Sequence, residues 1–350
     1  MREIILNEDV KELHIPLVFD SEESARAKLR EAKALLKKAA AVTVTLEVFA
    51  PRSFKSAVEE FVGAEDFPVN WICPLDENAN PLLAGAHITA VSGCVAEFKK
   101  TDKGARAALY GDGENLYVRT FGVLANDGCA DPYRHAADNL AELEAAVGLF
   151  GFSYSDIVRT WFYNDDILAW YAPFNKARTE FYCARKIFAG LLPASTGIGA
   201  PNPSGQLMTS GAIAVKNESG RKVKDIPSPL QCGATSYGSS FSRAVEIESP
   251  TSRRVMVSGT ASIKYGGETA YEGDIDKQVD LTMRVVGAIL QSRRMTFADT
   301  VRSVIYCLSP EYYASFLKWQ KEHGEIPHCP SFSIICRKDL LFEVELEAAK

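Results

Sequence analysis

A chain of 350 residues with 47% hydrophobic and 24% charged side chains has material for two or three cores and the balance of a soluble globular protein. Its formal net charge of −6 excludes a non-specific nucleic-acid binder, which would carry a basic stripe, and leaves room only for a local basic pocket. The eight cysteines (73, 94, 129, 183, 232, 307, 329 and 336) form no C-x-x-C pair and no zinc-spaced Cys/His cluster.

Those cysteines fall mostly in apolar segments, as reduced buried thiols do. No apolar stretch reaches 18 residues and the charged start, MREIILNEDVKEL, lacks a signal core, so a cytoplasmic protein without a membrane partner is expected. Residues 1–19 read as an initial strand and a connection. Ser21, followed by Glu22 and Glu23, caps a helix running through Lys38. A strand at 42–49, a short helix at 53–61 and a hairpin within 91–109 follow. Gly111-Asp-Gly-Glu-Asn is a turn.

Beyond that turn come a strand at 116–124, a helix at 133–150, a strand opening at Asp156 and an aromatic-rich helix at 167–176. Arg178 follows Phe174 by four positions and shares its helical face; an aromatic core rimmed by arginines accounts for most of this cluster. Pro193-Ala-Ser-Thr-Gly-Ile-Gly is a glycine-rich entry to a strand whose NH groups suit an anion, although it is neither a Walker loop nor a dinucleotide fingerprint. A basic, proline-containing linker at 218–232 leads to small polar residues around Tyr237, Phe241 and Arg243. A strand at 255–263 carries Ser258, Gly259 and Thr260, small enough to leave room for a ligand. Helices at 275–292 and 311–322 flank a strand from Asp299, and two apolar strands at 331–336 and 341–347, joined by a charged turn at 337–339, close the chain.

The order strand, helix, strand, helix, strand, strand recurs. Leu207-Met208-Thr209 lies 14 residues after Pro193, Leu341-Phe342-Glu343 lies 14 after Pro327, and in a degraded N-terminal copy Leu82-Leu83-Ala84 lies 14 after Pro68. Domains at 1–110, 111–220 and 230–350 are therefore expected. The acidic position is Ala84, Thr209 and Glu343 in turn, one carboxylate among three copies. Alternation in the last strand puts Leu341, Glu343, Glu345 and Glu347 on one face and Phe342, Val344 and Leu346 on a core face. Glu343, following two apolar residues, is expected to lie deeper than Glu345 or Glu347; the bland alternative is a solvated acidic edge.

Val-Ser-Gly-Thr-Ala-Ser at 257–262, Gly-Asp-Ile-Asp-Lys-Gln at 273–278, Phe-Ala-Asp-Thr-Val-Arg at 297–302 and Leu-Phe-Glu-Val-Glu-Leu-Glu-Ala at 341–348 resemble the YjgF/RidA superfamily. Arg-Thr-Trp-Phe-Tyr at 159–163, Phe-Asn-Lys-Ala-Arg at 174–178, Phe-Ser-Arg-Ala at 241–244 and the run from Cys336 to Glu345 look like its chorismatase branch. Those enzymes cleave the enolpyruvyl ether of chorismate to pyruvate plus a dihydroxycyclohexadienoate or a hydroxybenzoate. The resemblance implies an α+β fold of repeated chorismate-mutase-like units, mixed sheets with helices packed on one face. It implies a pseudo-trimer, monomeric or homo-oligomeric, with the furnished cleft between the second and third units. It implies no cofactor, no metal, and a small dicarboxylate as partner.

By the same resemblance Glu343 corresponds to the acid that protonates the enol-ether methylene, and Arg243 and Arg178 hold substrate carboxylates. Tyr237 and Phe241 would wall the pocket, Gly259, Ser195, Thr196 and Gly197 would offer close approach, and Cys336 would influence which product forms. Two departures stand out. Imine deaminases of the superfamily place an arginine just after the proline that here is Pro327, where this chain has His328, Cys329 and Pro330; residues 264–272 lack the Gly-His-Glu-Ser-x-His character of chorismatases. The alternatives are a 2-iminoacid deaminase with Glu343 positioning water, and a non-catalytic binder of small aromatic carboxylates.

Overall fold

The computed structural model describes residues 1–125, 130–217 and 223–350. Cys129, the linker residues 218–222 and the side chain of Tyr237 lie outside the described residues. The first unit comprises β1 (Arg2–Ile5), β2 (Lys11–Phe19), α1 (Glu22–Lys38), β3 (Val42–Phe49), α2 (Lys55–Val62), β4 (Val69–Ile72) and β5 (Ala84–Ser92). In the second come β6 (Glu97–Lys100), β7 (Arg106–Gly111), β8 (Asn115–Leu124), α3 (Pro132–Gly148), β9 (Ile157–Asn164), α4 (Ile167–Ala184), β10 (Ala194–Gly199) and β11 (Met208–Asn217). The third holds β12 (Val223–Ile226), β13 (Ala244–Glu248), β14 (Arg253–Ala261), α5 (Ile275–Ser292), β15 (Thr300–Cys307), α6 (Pro310–His323), β16 (Cys329–Phe332) and β17 (Phe342–Ala349).

Each unit forms its own mixed sheet, in the orders β1-β2-β5-β3-β4, β10-β9-β11-β8-β7-β6 and β12-β13-β14-β17-β15-β16. In every unit the last strand runs antiparallel between two earlier ones, and the strand after the second helix pairs in parallel. This corrects the expected closing pair: β16 lies parallel on β15, with β15 between it and β17, because a helical crossover returns the chain in the same direction. The hairpin β6–β7 hydrogen-bonds to β8, so the second sheet begins at Glu97 rather than near residue 111.

The helices start where the sequence supplies caps. Ser21, Asp131, Asp274 and Ser309 each accept a hydrogen bond from a backbone NH of the first turn of α1, α3, α5 and α6, and Pro132 and Pro310 occupy first-turn positions where no donor is needed. α4 outruns its expected end, Lys176, despite Pro173, since Ala177, Phe181 and Tyr182 go on burying against the sheet. α5 presents Val279, Met283, Val286 and Leu290 to Phe342, Val344 and Leu346 of β17, the face expected to be core. Among the described residues no helix is long and apolar enough to cross a membrane.

The opposite sheet faces turn toward one another around a pseudo-threefold axis. Phe49, Tyr163 and Tyr306, one from each sheet, meet with ring centroids 6.3, 6.4 and 6.5 Å apart. Burying charge there demands partners, and pairs across units supply them: Glu12 with Arg119 (2.7 Å) and Arg254 (2.8 Å), Glu47 with Arg302 (2.6 Å), Glu345 with Arg159 (2.8 Å). The burial order expected along β17 is therefore reversed. Glu345 and Glu347 are 0% and 1% exposed against 5% for Glu343, because this face looks onto the neighbouring units and not onto water.

Candidate active site

β10, an edge strand of the second sheet, lies against β14 inside the third. Ser195 N donates to Ser258 Oγ (2.9 Å) and Ser242 N to Pro193 O (3.0 Å), closing the seam on one side. Where β14 bulges between Val257 and Thr260, the strand draws back and leaves a hollow. Its walls are Tyr171, Phe174 and Arg178 from α4, Ser195 and Gly197 from β10, Phe241 and Arg243 from the loop before β13, Gly259 and Ala261 from β14, then Ile263, Cys336, Arg337 and Glu343. The space in it is about 50 Å³, and Tyr171, Phe241 and Arg337 on its wall are half-buried.

Glu343 lies over the bulge glycine: a Cβ built on Gly259 would collide with Glu343 Oε1 and stand 3.3 Å from Thr196 Cγ2. Burial, helped by the Glu345 carboxylate and opposed by Arg159 and Arg243, pushes the Glu343 carboxyl up to about 8. It is thus a neutral acid at pH 7. Burial alone would also raise Glu345, but Arg302 and Arg159, with Thr196 and Trp161 donating, outweigh it and hold that carboxyl below its usual range. Two carboxyls on one strand face, separated by one residue, are therefore driven apart in proton affinity.

Arg243 is fixed by Nε donating to Cys232 O (3.0 Å), with its guanidinium 5.7 Å from the Phe241 ring. Arg178 donates from Nη2 to Asn175 (2.7 Å) and lies 4.9 Å from the Phe174 ring, while its buried Nε has no hydrogen-bond partner among the described residues. The Cys336 thiol is pushed up to about 12, chiefly by burial, and stays a thiol. Ser195, Gly197, Phe241 and Gly259 line the hollow with these groups. Thr196 does not: β10 alternates, so its hydroxyl points away, donating to Glu345 (2.5 Å) and accepting from Gly259 N (3.1 Å). The candidate residues drawn from the sequence lack Tyr171, Phe174, Ala261, Ile263 and Arg337. Tyr171 sits at helical spacing before Phe174 and Arg178, a legible signal; Arg337 lies in the expected charged turn, closed by Leu340 N donating to Arg337 O (3.2 Å), and the turn's place beside the cleft is what the sequence does not show. No group of three or more His, Cys, Asp or Glu side chains is placed to hold a metal ion among the described residues.

The two equivalent clefts are closed by their own residues. Two positions before the partners of Ala84, Thr209 and Glu343 stand Leu17, Gly122 and Gly259. Against Gly122 the backbone carbonyl of Val69 fills the space, and Thr209 bonds Asn70 (3.4 Å). In the cleft beside Ala84, Cys329 donates to Ala86 O (3.0 Å) and Pro330 packs against Gly85.

Fold and site together define an internally repeated, pseudo-trimeric α+β protein with, among the described residues, one inter-unit cleft that holds a buried acid. No protein-family model matches the chain. It is 33% identical over 240 residues to a chorismatase of Streptomyces rapamycinicus, spanning 61% of this chain and 70% of that one. It is 31% identical over 160 residues to a 3-hydroxybenzoate synthase of Streptomyces hygroscopicus, spanning 40% and 44%. A crystal structure of a chorismatase superposes with a TM-score of 0.65 at 20% identity, over 87% of this chain and 92% of that one. The chain belongs to the chorismatase family of enzymes, and its three units together have the fold of the chorismatase crystal structure.

Proposed function

We propose that the protein cleaves the enolpyruvyl ether of chorismate, or of a closely related cyclic dicarboxylate, with Glu343 as the proton donor. The observation that carries this reading is a buried carboxyl lying over the Gly259 bulge in a cleft that also holds Arg178 and Arg243, with burial pushing that carboxyl up to about 8. Protonating a vinyl ether requires a positioned acid still carrying its proton near neutrality. Glu343 delivers that proton to the methylene carbon, which becomes a methyl group. The cation left on the ether carbon is stabilised by the new Glu343 carboxylate; water adds there and returns one proton to that carboxylate, and the hemiketal then breaks its bond to the ring oxygen as its own hydroxyl proton passes to that oxygen. Pyruvate leaves, and the ring keeps a hydroxyl.

The two arginines match a dicarboxylate in charge and in their capacity for bidentate hydrogen bonds. The relatives' names, a chorismatase and a 3-hydroxybenzoate synthase, support chorismate as the substrate and a dihydroxycyclohexadienoate or hydroxybenzoate as the second product. Cys336, a neutral side chain beside the acid, is placed to influence which of the two forms. Incubating the purified protein with chorismate and measuring pyruvate is the direct test; ammonia from a 2-iminoacid with no pyruvate from chorismate would favour the deaminase chemistry instead.

Two further outcomes follow from the site. The active form of Glu343 is the protonated one, present below its folded value of about 8, so kcat/KM should be flat through neutrality and fall tenfold per pH unit above about 8. A profile rising through that range would identify a base and reject the assignment. Arg243→Ala should raise KM on the order of 100-fold, as expected when one partner of a buried charged hydrogen bond is lost, with Arg243→Lys recovering part of it. An unchanged KM would remove Arg243 from the site.

A further inference from the structure

The most heavily bonded side chain beside the cleft has no part in the mechanism above. Glu345 accepts from Arg159 (2.8 Å), Arg302 (2.7 Å), Thr196 (2.5 Å) and, at both oxygens, Trp161 Nε1 (2.8 Å). Arg302 carries the chain of contacts on to Glu47 of the first unit. One reading is a cross-unit clamp and nothing more. What exceeds a clamp is Thr196, whose single hydroxyl accepts from Arg159 Nη2 (2.6 Å), donates to Glu345 and accepts the amide of Gly259. Gly259 is the residue against which the Glu343 carboxyl lies without clearance for even a methyl group.

We propose that Glu345 and Thr196 are positioning residues for the proton donor: the clamped Glu345 carboxylate grips Thr196, Thr196 holds the Gly259 amide, and the bulge so fixed sets where the Glu343 carboxyl points. This rests on the assignment of Glu343 as the acid. The same arrangement stations a permanent negative charge two residues along the strand face from Glu343. The other charged or titratable groups around the acid are Arg159 from β9, Arg178 and Tyr171 from α4, Arg243 before β13, and Cys336 and Arg337 before β17. Of these Arg159 and Arg243 pull the Glu343 carboxyl down while the Glu345 charge holds it up, so removing that charge lets the arginines act unopposed by it.

The test uses two variants of the full chain. Thr196→Val keeps the shape but can neither accept from Gly259 nor donate to Glu345; kcat should fall on the order of 30-fold with KM within about twofold, and Thr196→Ser should restore most of it. Glu345→Gln should move the ionisation midpoint of Glu343 down by about one pH unit or more. That midpoint is read from the carboxyl carbon shifts of carbon-13-labelled protein, assigned by the signal lost in Glu343→Gln, and needs no turnover. An unaltered kcat in Thr196→Val, or losses in kcat and KM together that Thr196→Ser does not rescue, would overturn the proposal, as would an unmoved midpoint in Glu345→Gln. Absence of pyruvate release by the wild-type protein is a different result: it removes the parent reading of Glu343.

Discussion

Glu343→Gln is expected to lower pyruvate release from chorismate by roughly 10³-fold or more, since the variant lacks the group proposed to give its proton to the vinyl carbon. Glutamine has the same shape and the residue it replaces is neutral at pH 7, so the substitution adds no buried charge and removes none. The fold should therefore be kept, with thermal unfolding within a degree or two of the wild type. Arg178 and Arg243 remain to hold carboxylates, so the dissociation constant for chorismate, measured by calorimetry with the inert variant, should shift only a few-fold. The residual rate should also lose its descent above about pH 8, because the group that titrates there is absent. Turnover retained in this variant would show that another group supplies the proton, and the reading built on Glu343 would not survive it.

Much of this arrangement is legible in the sequence. The 14-residue spacing from proline to the last strand exposed three copies of one unit, and β3 and α5 fall on their expected limits because apolar period and caps agree there. The single acid followed from comparing Ala84, Thr209 and Glu343. What the pattern hid was everything decided between units. Alternation assigns Glu343, Glu345 and Glu347 to one face but is silent on what covers it, so a face of carboxylates read as shallower toward its end when arginines 159, 254 and 302 make it the molecule's centre. Thr196 was misassigned for the same reason: the glycine-rich run around it marks close approach, while strand parity sends Ser195 and Gly197 to the cleft and Thr196 to Glu345.

The three clefts show how one scaffold yields a single site. An opening needs a small residue at the bulge and slender residues on the facing strand. The second and third units satisfy both, with Gly259 opposite Ser195 and Gly197. Gly122 meets the first condition, yet Val69 of β4 occupies the space, and beside Ala84 it is Leu17, Cys329 and Pro330 that leave none. The acid and the vacancy thus coincide in one cleft because the same bulge that opens it brings Gly259 under residue 343.

Gly259→Ala should therefore be the sharpest test of geometry as distinct from chemistry. The added methyl would occupy the place of Glu343 Oε1, and that oxygen is the far end of a flexible side chain, whereas the neighbouring Thr196 Cγ2 at 3.3 Å has little room to yield. The least costly response is rotation of Glu343 away from the hollow, which leaves the bulge backbone as it is, since Gly259 does not occupy the left-handed region and alanine can adopt its conformation. Stability should change by about 1 kcal/mol or less, whereas a displacement of the acid on the order of 1 Å should lower kcat roughly 100-fold. Every ionisable group is still present, so a descending pH limb should persist, but at lower pH if the carboxyl swings toward solvent. Full activity in a well-folded Gly259→Ala protein would mean that the proton donor does not need the floor this glycine provides. A crystal structure of the variant, with Glu343 rotated off the cleft, is the outcome expected.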